Sequence, residues 1–185
     1  IPKNKKILFW PTQTHDRLMS KNGENELNAE VIFKNLKNNK DWFLLIKFHP
    51  NEDQKQSFNF YERYRKKYAL NRCVILKSDV ANTYDCVSLS DCVILKHTTV
   101  GIEAIIMNRP IINLELIKSW DMSQFKSLQS SLIVKKEQDL TLFLNKILST
   151  EYKNLFTKER KKYLKKHFVN FGNATEKVVE FIKNV

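Results

Sequence analysis

The chain has 185 residues, 42% of them hydrophobic and 28% charged, which supports one folded core and argues against a disordered chain. Its apolar runs fall far short of the roughly 20 residues of a membrane-spanning helix, and three cysteines, Cys73, Cys86 and Cys92, make neither a disulfide framework nor a cysteine zinc ribbon. A balance of 32 Lys and Arg against 20 Asp and Glu leaves a net charge of +12, which attracts anions without choosing among nucleic acid, acidic lipid and nucleotide phosphate.

Lys5–Trp10 reads as a buried strand closed by Pro11. Leu27, Val31, Ile32 and Leu36 recur at helical spacing and predict a helix over Glu24–Asn39. Asp41–Phe48 is a strand ended by His49-Pro50, and Gln54–Tyr68 a polar helix with several aromatics. Cys73–Leu76 is a short strand, and Val80–Leu89 a helix with Asp79 as its N-cap. Asp91–Leu95 is a strand, Gly101–Met107 a short helix entered through Thr98-Thr99, and Pro110–Leu114 a strand again. Ser131–Val134 is a last short strand and Glu137–Leu148 a helix. Glu151–Val185 holds two or three more helices, broken at Gly172-Asn173, with Asn173 placed to cap the last. The densest basic run, Lys158–Lys166, turns its lysines outward and brings Leu155, Tyr163 and Phe168 together on the inner side. It reads first as a solvated face and second as a surface for anionic lipid.

Strands that alternate with helices, each a continuous apolar run, predict an α/β fold. The expected architecture is a Rossmann-like, doubly wound parallel sheet over residues 1–150, followed by a helical C-terminal tail over residues 151–185. The tail would pack on the same domain or on a missing N-terminal one. The chain opens on Ile1-Pro2-Lys3-Asn4 without an initiator methionine or a signal-peptide pattern, and is expected to be a piece of a longer protein. Only three glycines occur, so a P-loop or G-x-G-x-x-G turn is absent.

Ligands of such sheets bind beyond the carboxyl ends of the strands. The loops there are Pro11-Thr12-Gln13-Thr14-His15-Asp16, His49-Pro50-Asn51-Glu52, Lys77-Ser78-Asp79, Lys96-His97-Thr98-Thr99 and the stretch after Glu115. Thr98 and Thr99 stand where a helix begins, and free N–H groups with two hydroxyls suit a phosphate. Glu103, on the same helix face, suits ribose hydroxyls. The plainer reading makes Thr98 an N-cap and Glu103 a first-turn complement to the helix dipole, and the sequence leaves both open. Proline fixes the chain after His49, whose imidazole suits a phosphate contact or acid–base work near neutral pH, or a simple bond to backbone. His15 and Asp16 form an acid–base pair or an Asx turn. No histidine spacing or carboxylate cluster suggests a metal.

Two motifs together, Ile46-Lys47-Phe48-His49-Pro50 and Asp91 through His97-Thr98-Thr99-Val100-Gly101-Ile102-Glu103-Ala104 to Asn108-Arg109-Pro110-Ile111-Ile112, resemble the C-terminal nucleotide-binding domain of GT-B glycosyltransferases. The nearest likeness is to bacterial capsule polysaccharide Kdo transferases and CDP-glycerol glycerophosphotransferases of teichoic acid synthesis. The ordered likeness covers roughly residues 5–115 and includes Phe9-Trp10-Pro11-Thr12-Gln13. Thr98-Thr99 replaces a serine-containing pair, and His97 stands where tyrosine or asparagine is more usual. The resemblance implies donor-phosphate contacts at His49-Pro50, Thr98 and Thr99, and a ribose or base contact at Glu103. Thr12, Gln13 and His97 would lie beside the nucleotide, and His15 and Asp16 would be minor catalytic candidates.

The implied function is transfer of a sugar or polyol phosphate from a nucleotide-activated donor (CMP-, CDP- or UDP-linked) to a cell-surface polysaccharide. It implies no bound metal or cofactor, a glycan acceptor, a missing N-terminal acceptor domain, and no specific nucleic acid. The expected location is the cytoplasm, including the inner face of the cell membrane through an anionic lipid surface. The alternatives are a UDP-GlcNAc 2-epimerase-like sugar-nucleotide enzyme and a basic non-catalytic module for nucleic acid or membrane.

Overall fold

The computed structural model describes residues 4–13, 23–96, 98–117, 125, 128–168 and 172–184. The apolar runs form six strands: β1 (Lys6–Pro11), β2 (Trp42–Lys47), β3 (Cys73–Leu76), β4 (Cys92–Leu95), β5 (Ile111–Leu114) and β6 (Leu132–Val134). Every pairing is parallel, and the sheet order is β3-β2-β1-β4-β5-β6. Leu8 of β1 lies level with Leu44 of β2 on one side and Cys92 of β4 on the other. Every residue of β2, β4 and β5 is buried, the state of strands covered on both faces and the reason their sequences do not alternate. Asp91 stays just outside β4. Its carboxylate accepts from the Ile7 N–H at 2.9 Å and from Lys6 Nζ at 3.2 Å, pinning the start of β4 to β1.

Seven helices follow the alternation: α1 (Glu24–Asn38), α2 (Gln54–Lys67), α3 (Thr83–Leu89), α4 (Val100–Ile106), α5 (Glu137–Leu148), α6 (Thr150–His167) and α7 (Ala174–Lys183). Right-handed crossovers put α1 and α2 on one face; α3, which carries the chain back from β3 to β4, goes to the other with α4. The packing agrees, with α1 against α2 and α5, and α4 against α3 and α6. This is the expected doubly wound sheet, and β3 and α5 begin and end where the sequence predicts. Two aromatics of α2, Tyr61 and Tyr64, are buried while Phe58 is exposed; Tyr61 meets Trp10 edge-on at 5.1 Å and stacks on Phe48 at 5.7 Å. All three cysteines are buried free thiols, and burial pushes the Cys73 thiol up to about 12.

Three local expectations are corrected. Helix α3 starts at Thr83, not Val80, and its N-cap is Asn82, whose side chain accepts from the Tyr84 N–H at 2.8 Å. Residues 78–80 form a turn instead, with the Val80 N–H donating to the Lys77 carbonyl at 3.3 Å. In α6 the inner stripe is Tyr152, Phe156, Glu159, Tyr163 and Leu164, while Leu155 is exposed. Residues 152, 156, 159 and 163 step by four, three and four, one helix face. Asn173 does precede α7, but its side chain makes no capping bond.

Helix α6 belongs to the same packed body. The Tyr152 hydroxyl donates to the Ser130 carbonyl at 2.7 Å, and the Arg160 guanidinium donates to the carbonyls of Ile105 and Ile106 at the end of α4. Helix α7 buries none of its residues. Among the described residues no helix is long and apolar enough to cross a membrane.

Candidate functional site

The strand order reverses between β1 and β4, because β2 and β3 lie to one side of β1 and β4, β5 and β6 to the other. Beyond the carboxyl ends of these two strands lies the crevice where open α/β sheets bind ligands. Thr12 and Gln13 end the β1 side, Lys96, Thr98 and Thr99 the β4 side, and His49-Pro50 follows β2, the other neighbour of β1. The imidazole and the threonine pair thus flank the end of β1, with strand spacings of roughly 4.8 Å on either side of it.

A buried carboxylate organises the β1–β2 side. Glu52 accepts from the His49 backbone N–H at 2.9 Å, from the Ser57 hydroxyl at 2.7 Å and from the Thr12 hydroxyl. The His-Pro loop is thereby tied to the end of β1 and to the first turn of α2. Gln54 extends the tie to the next loop, donating to the Glu52 carbonyl at 2.9 Å and accepting from the Ser78 N–H at 2.9 Å. The Lys47 ammonium, buried at the end of β2, donates to the Ser78 carbonyl at 2.9 Å. On this scaffold His49 and Pro50 are exposed. The Asn51 N–H donates to His49 Nδ1 at 3.1 Å. A neutral ring with Nδ1 accepting carries its proton on Nε2, which is then a donor.

On the β4 side the two threonines divide. The Thr98 hydroxyl accepts from the Val100 N–H at 3.3 Å, a local turn bond. Thr99 is the N-cap of α4, exposed, and its side chain makes no capping bond. The Gly101 N–H donates to the Thr98 carbonyl at 3.3 Å and the Ile102 N–H to the Thr99 carbonyl at 2.8 Å. The first-turn N–H groups therefore have local partners, two of them long, with which an anion would compete. Glu103 lies in that first turn, with one carboxylate oxygen, Oε2, buried without a hydrogen-bond partner. Burial raises its pKa above the ordinary carboxylate value, since the charge has lost water.

Side chains set the position of α4. A Cβ at Gly101 would overlap the Phe125 ring, 2.6 Å from Cε2, and stand 3.0 Å from Leu95 Cδ2. Glycine thus lets the ring lie directly on the first turn. At the other end Arg160 holds the last carbonyls, a cation at a helix C-terminus. Between the two halves of the crevice, Lys96 pairs with Glu24, the first residue of α1, and their side chains are 7% and 1% exposed.

Of the residues the sequence points to, Thr12, Gln13, His49, Pro50, Thr98, Thr99 and Glu103 all stand at this one edge of the sheet. The Thr12 hydroxyl is turned to Glu52 and Lys47. His15, Asp16 and His97 lie outside the described residues. Glu52, Glu24, Lys96 and Arg160 carry the architecture and were not singled out by their sequence. Glu52 had one signal, its place three residues after His49, and the others had none beyond a strand end or a helix end. A cavity of about 200 Å³ lined by Lys6, Asp91, Arg109 and Lys153 opens at the opposite edge, by the starts of β1 and β4. In an open parallel sheet that is the edge away from the ligand crevice.

A family of capsule polysaccharide biosynthesis proteins matches residues 1–164. No curated protein sequence matches. Among solved structures, the C-terminal domain of a group 1 glycosyl transferase, LpcC of Francisella tularensis, is similar with a TM-score of 0.60 at 14% identity. The match covers 91% of this chain and 88% of that one. TarM of S. aureus, in complex with Fondaparinux, alpha-GlcNAc-glycerol and UDP, gives 0.63 at 15% identity over 99% of this chain and 36% of that one. A protein described as a UDP-N-acetylglucosamine 2-epimerase, from Listeria monocytogenes, gives 0.58 at 14% identity over 83% and 39%. The chain thus spans about two fifths of these last two proteins and most of the isolated transferase domain. Identities this low speak for the shared Rossmann-like fold, whereas the sequence match covers most of the chain: this protein belongs to the capsule polysaccharide biosynthesis family.

Proposed function

We propose that the chain is the donor-nucleotide-binding half of a GT-B glycosyltransferase or glycerophosphotransferase that builds a cell-surface polysaccharide. What supports this reading is that Thr99, His49 and Glu103 all follow the carboxyl ends of strands at the same edge of the sheet, with Thr99 and His49 exposed and one Glu103 oxygen unpartnered. The Thr99 hydroxyl and His49 Nε2 donate to the donor's phosphate, and Glu103 accepts from the ribose hydroxyls. Such fixed donors stabilise the charge that develops on the leaving phosphate without having to reorganise. The acceptor and the base that activates it belong to a further half of the protein, so this chain by itself binds the nucleotide but does not turn over. Family membership and the UDP bound by the TarM neighbour support the substrate class.

The test is a calorimetric screen of CMP, CDP, UDP and GDP, repeated with His49→Ala and Thr99→Ala. Each variant removes one hydrogen bond to a charged group, worth roughly 1.5–3 kcal/mol, and affinity should fall about ten- to a hundred-fold with the fold retained. Parental affinity in both variants would refute the site. The fold shared with the epimerase-like neighbour supports a second reading. Conversion of UDP-GlcNAc to its 2-epimer without any acceptor would favour it.

A further inference from the structure

The cavity at the edge away from the crevice lies where several elements meet. Lys6 starts β1, and Asp91 precedes β4. Arg109 and Pro110 lead from α4 into β5, Ile147 lies in the last turn of α5, and Lys153 and Phe156 come from α6. Asn108-Arg109-Pro110, the end of the second sequence motif, has no part in the nucleotide crevice.

Three of the lining side chains, Lys6, Arg109 and Lys153, are cationic and one, Asp91, is a carboxylate. Three positive charges against one negative leave an excess of two. The carboxylate is already committed to β1: one oxygen accepts from Lys6 Nζ at 3.2 Å and the other from the Ile7 N–H at 2.9 Å. Among the described residues neither Arg109 nor Lys153 pairs with a carboxylate. Arg109 is nevertheless fixed in place. Its backbone N–H donates to the Ala104 carbonyl of α4 at 2.8 Å, and its guanidinium donates to the Ser88 carbonyl of α3. Its Nε is buried without an acceptor. A cation held in position, with a donor left open and no counter-charge, is a mark of a place that receives an ion.

We propose that this cavity is a second anion site, separate from the nucleotide crevice, and that it takes a small organic phosphate monoester. The excess of two positive charges matches such a group, which carries about −1.5 to −2 near neutral pH. The cavity measures about 200 Å³, below the roughly 300–1,000 Å³ of pockets that enclose larger ligands. It has room for a phosphoryl group and a short carbon part, and does not enclose a whole nucleotide. Pro110, Ile147 and Phe156, all buried, give the carbon part an apolar wall. Arg109 offers the phosphoryl oxygens a planar fork and Lys153 a point charge. The proposal does not depend on the nucleotide reading of the other edge.

The experiment is calorimetric titration at pH 8 with phenyl phosphate, and with benzoate, which has the same ring and a single charge. The parent should bind phenyl phosphate more tightly than benzoate. Arg109→Gln and Lys153→Gln should each weaken phenyl phosphate about ten-fold, with thermal melts to check folding. Lys166→Gln removes the same charge from the far end of α6 and should leave the affinity level. A parent that binds no phenyl phosphate overturns the proposal. So does a loss in Lys166→Gln as large as in Lys153→Gln, which is diffuse attraction by the net charge. A loss in His49→Ala with Arg109→Gln unchanged places the anion in the nucleotide crevice and overturns it as well. Equal affinity for benzoate overturns the assignment to phosphate. Should Arg109→Gln not fold, Lys153→Gln carries the test, because that side chain is exposed.

Discussion

Glu52 is the side chain on which the His49 loop depends, so its removal is the most informative perturbation away from the proposed ligand contacts. In Glu52→Ala, the His49 N–H loses its acceptor at 2.9 Å and the Ser57 hydroxyl its acceptor at 2.7 Å. Thr12 keeps the Lys47 carbonyl at 3.3 Å. Two donors are thus left without partners, at about 1–3 kcal/mol each. His49 is exposed and water can recover part of that, so a total near 3 kcal/mol is expected. For a chain of this size 1 kcal/mol moves Tm by about 2–4 °C, giving a drop of roughly 6–12 °C in scanning calorimetry. Glu52→Gln keeps a carbonyl acceptor, and the Ser57 hydroxyl can turn to accept from its amide, so it should lose only about a third as much. Nucleotide affinity in Glu52→Ala should also fall further than in Ile147→Ala, a cavity variant of similar cost. A Glu52→Ala protein that melts within about 2 °C of the parent would refute the account of the loop, as would equal affinity losses in the two variants.

The other predictions concern the β4–α4 side. Gly101→Ala drives a methyl into the Phe125 ring and should cost about 1–3 kcal/mol in urea unfolding, largely recovered by adding Phe125→Leu. Arg160→Met removes both guanidinium bonds to the last carbonyls of α4. The expected loss is about 2 kcal/mol, with faster hydrogen exchange confined to α4. For Glu103 the folded pKa lies above the unfolded value of 4.5 because of burial, so its contribution to stability is present below that value and is lost as pH rises through the folded pKa. Glu103→Gln should therefore match the parent at pH 4 and become the more stable of the two as pH rises, while losing nucleotide affinity at neutral pH. A stability difference that stays flat with pH would contradict the burial argument.

The sheet was legible because buried parallel strands have a simple signature. Runs such as Trp42–Lys47 and Cys92–Leu95 are apolar without alternation, and punctuation by proline and polar residues separates them. Handed crossovers then leave few topologies to consider. The candidate crevice was legible for the same reason, since it is a consequence of strand order. The polar framework around it was not. Thr12 meets Glu52 from 40 residues away, and Arg160 reaches Ile105 across 55. A local pattern reports whether a residue is polar, not whether a distant partner lets it be buried. Arg160 shows the limit: within Lys158–Lys166 it looks like another solvated cation, yet it turns inward to α4. Thr98 and Thr99 look equivalent in sequence, and only the backbone turn decides that one hydroxyl is bonded locally and the other is left exposed.

The same framework bears on why we propose the phosphate site at a two-turn helix in a fold better known for using the first. A helix of seven residues has little cooperative stability of its own, so α4 cannot be a rigid platform unless its surroundings make it one. Here they do so from three sides. Phe125 lies on its first turn where only glycine leaves room, Ala104 and Ile105 are fully buried beneath it, and Arg160 holds its final carbonyls. Helix α1, which is longer, begins with the carboxylate of Glu24 and lacks a glycine-rich approach. The start of α1 is thus already occupied by a carboxylate, whereas the start of α4 offers the exposed hydroxyl of Thr99. The proposed preference for α4 follows from which helix start is open, and helix length does not decide it.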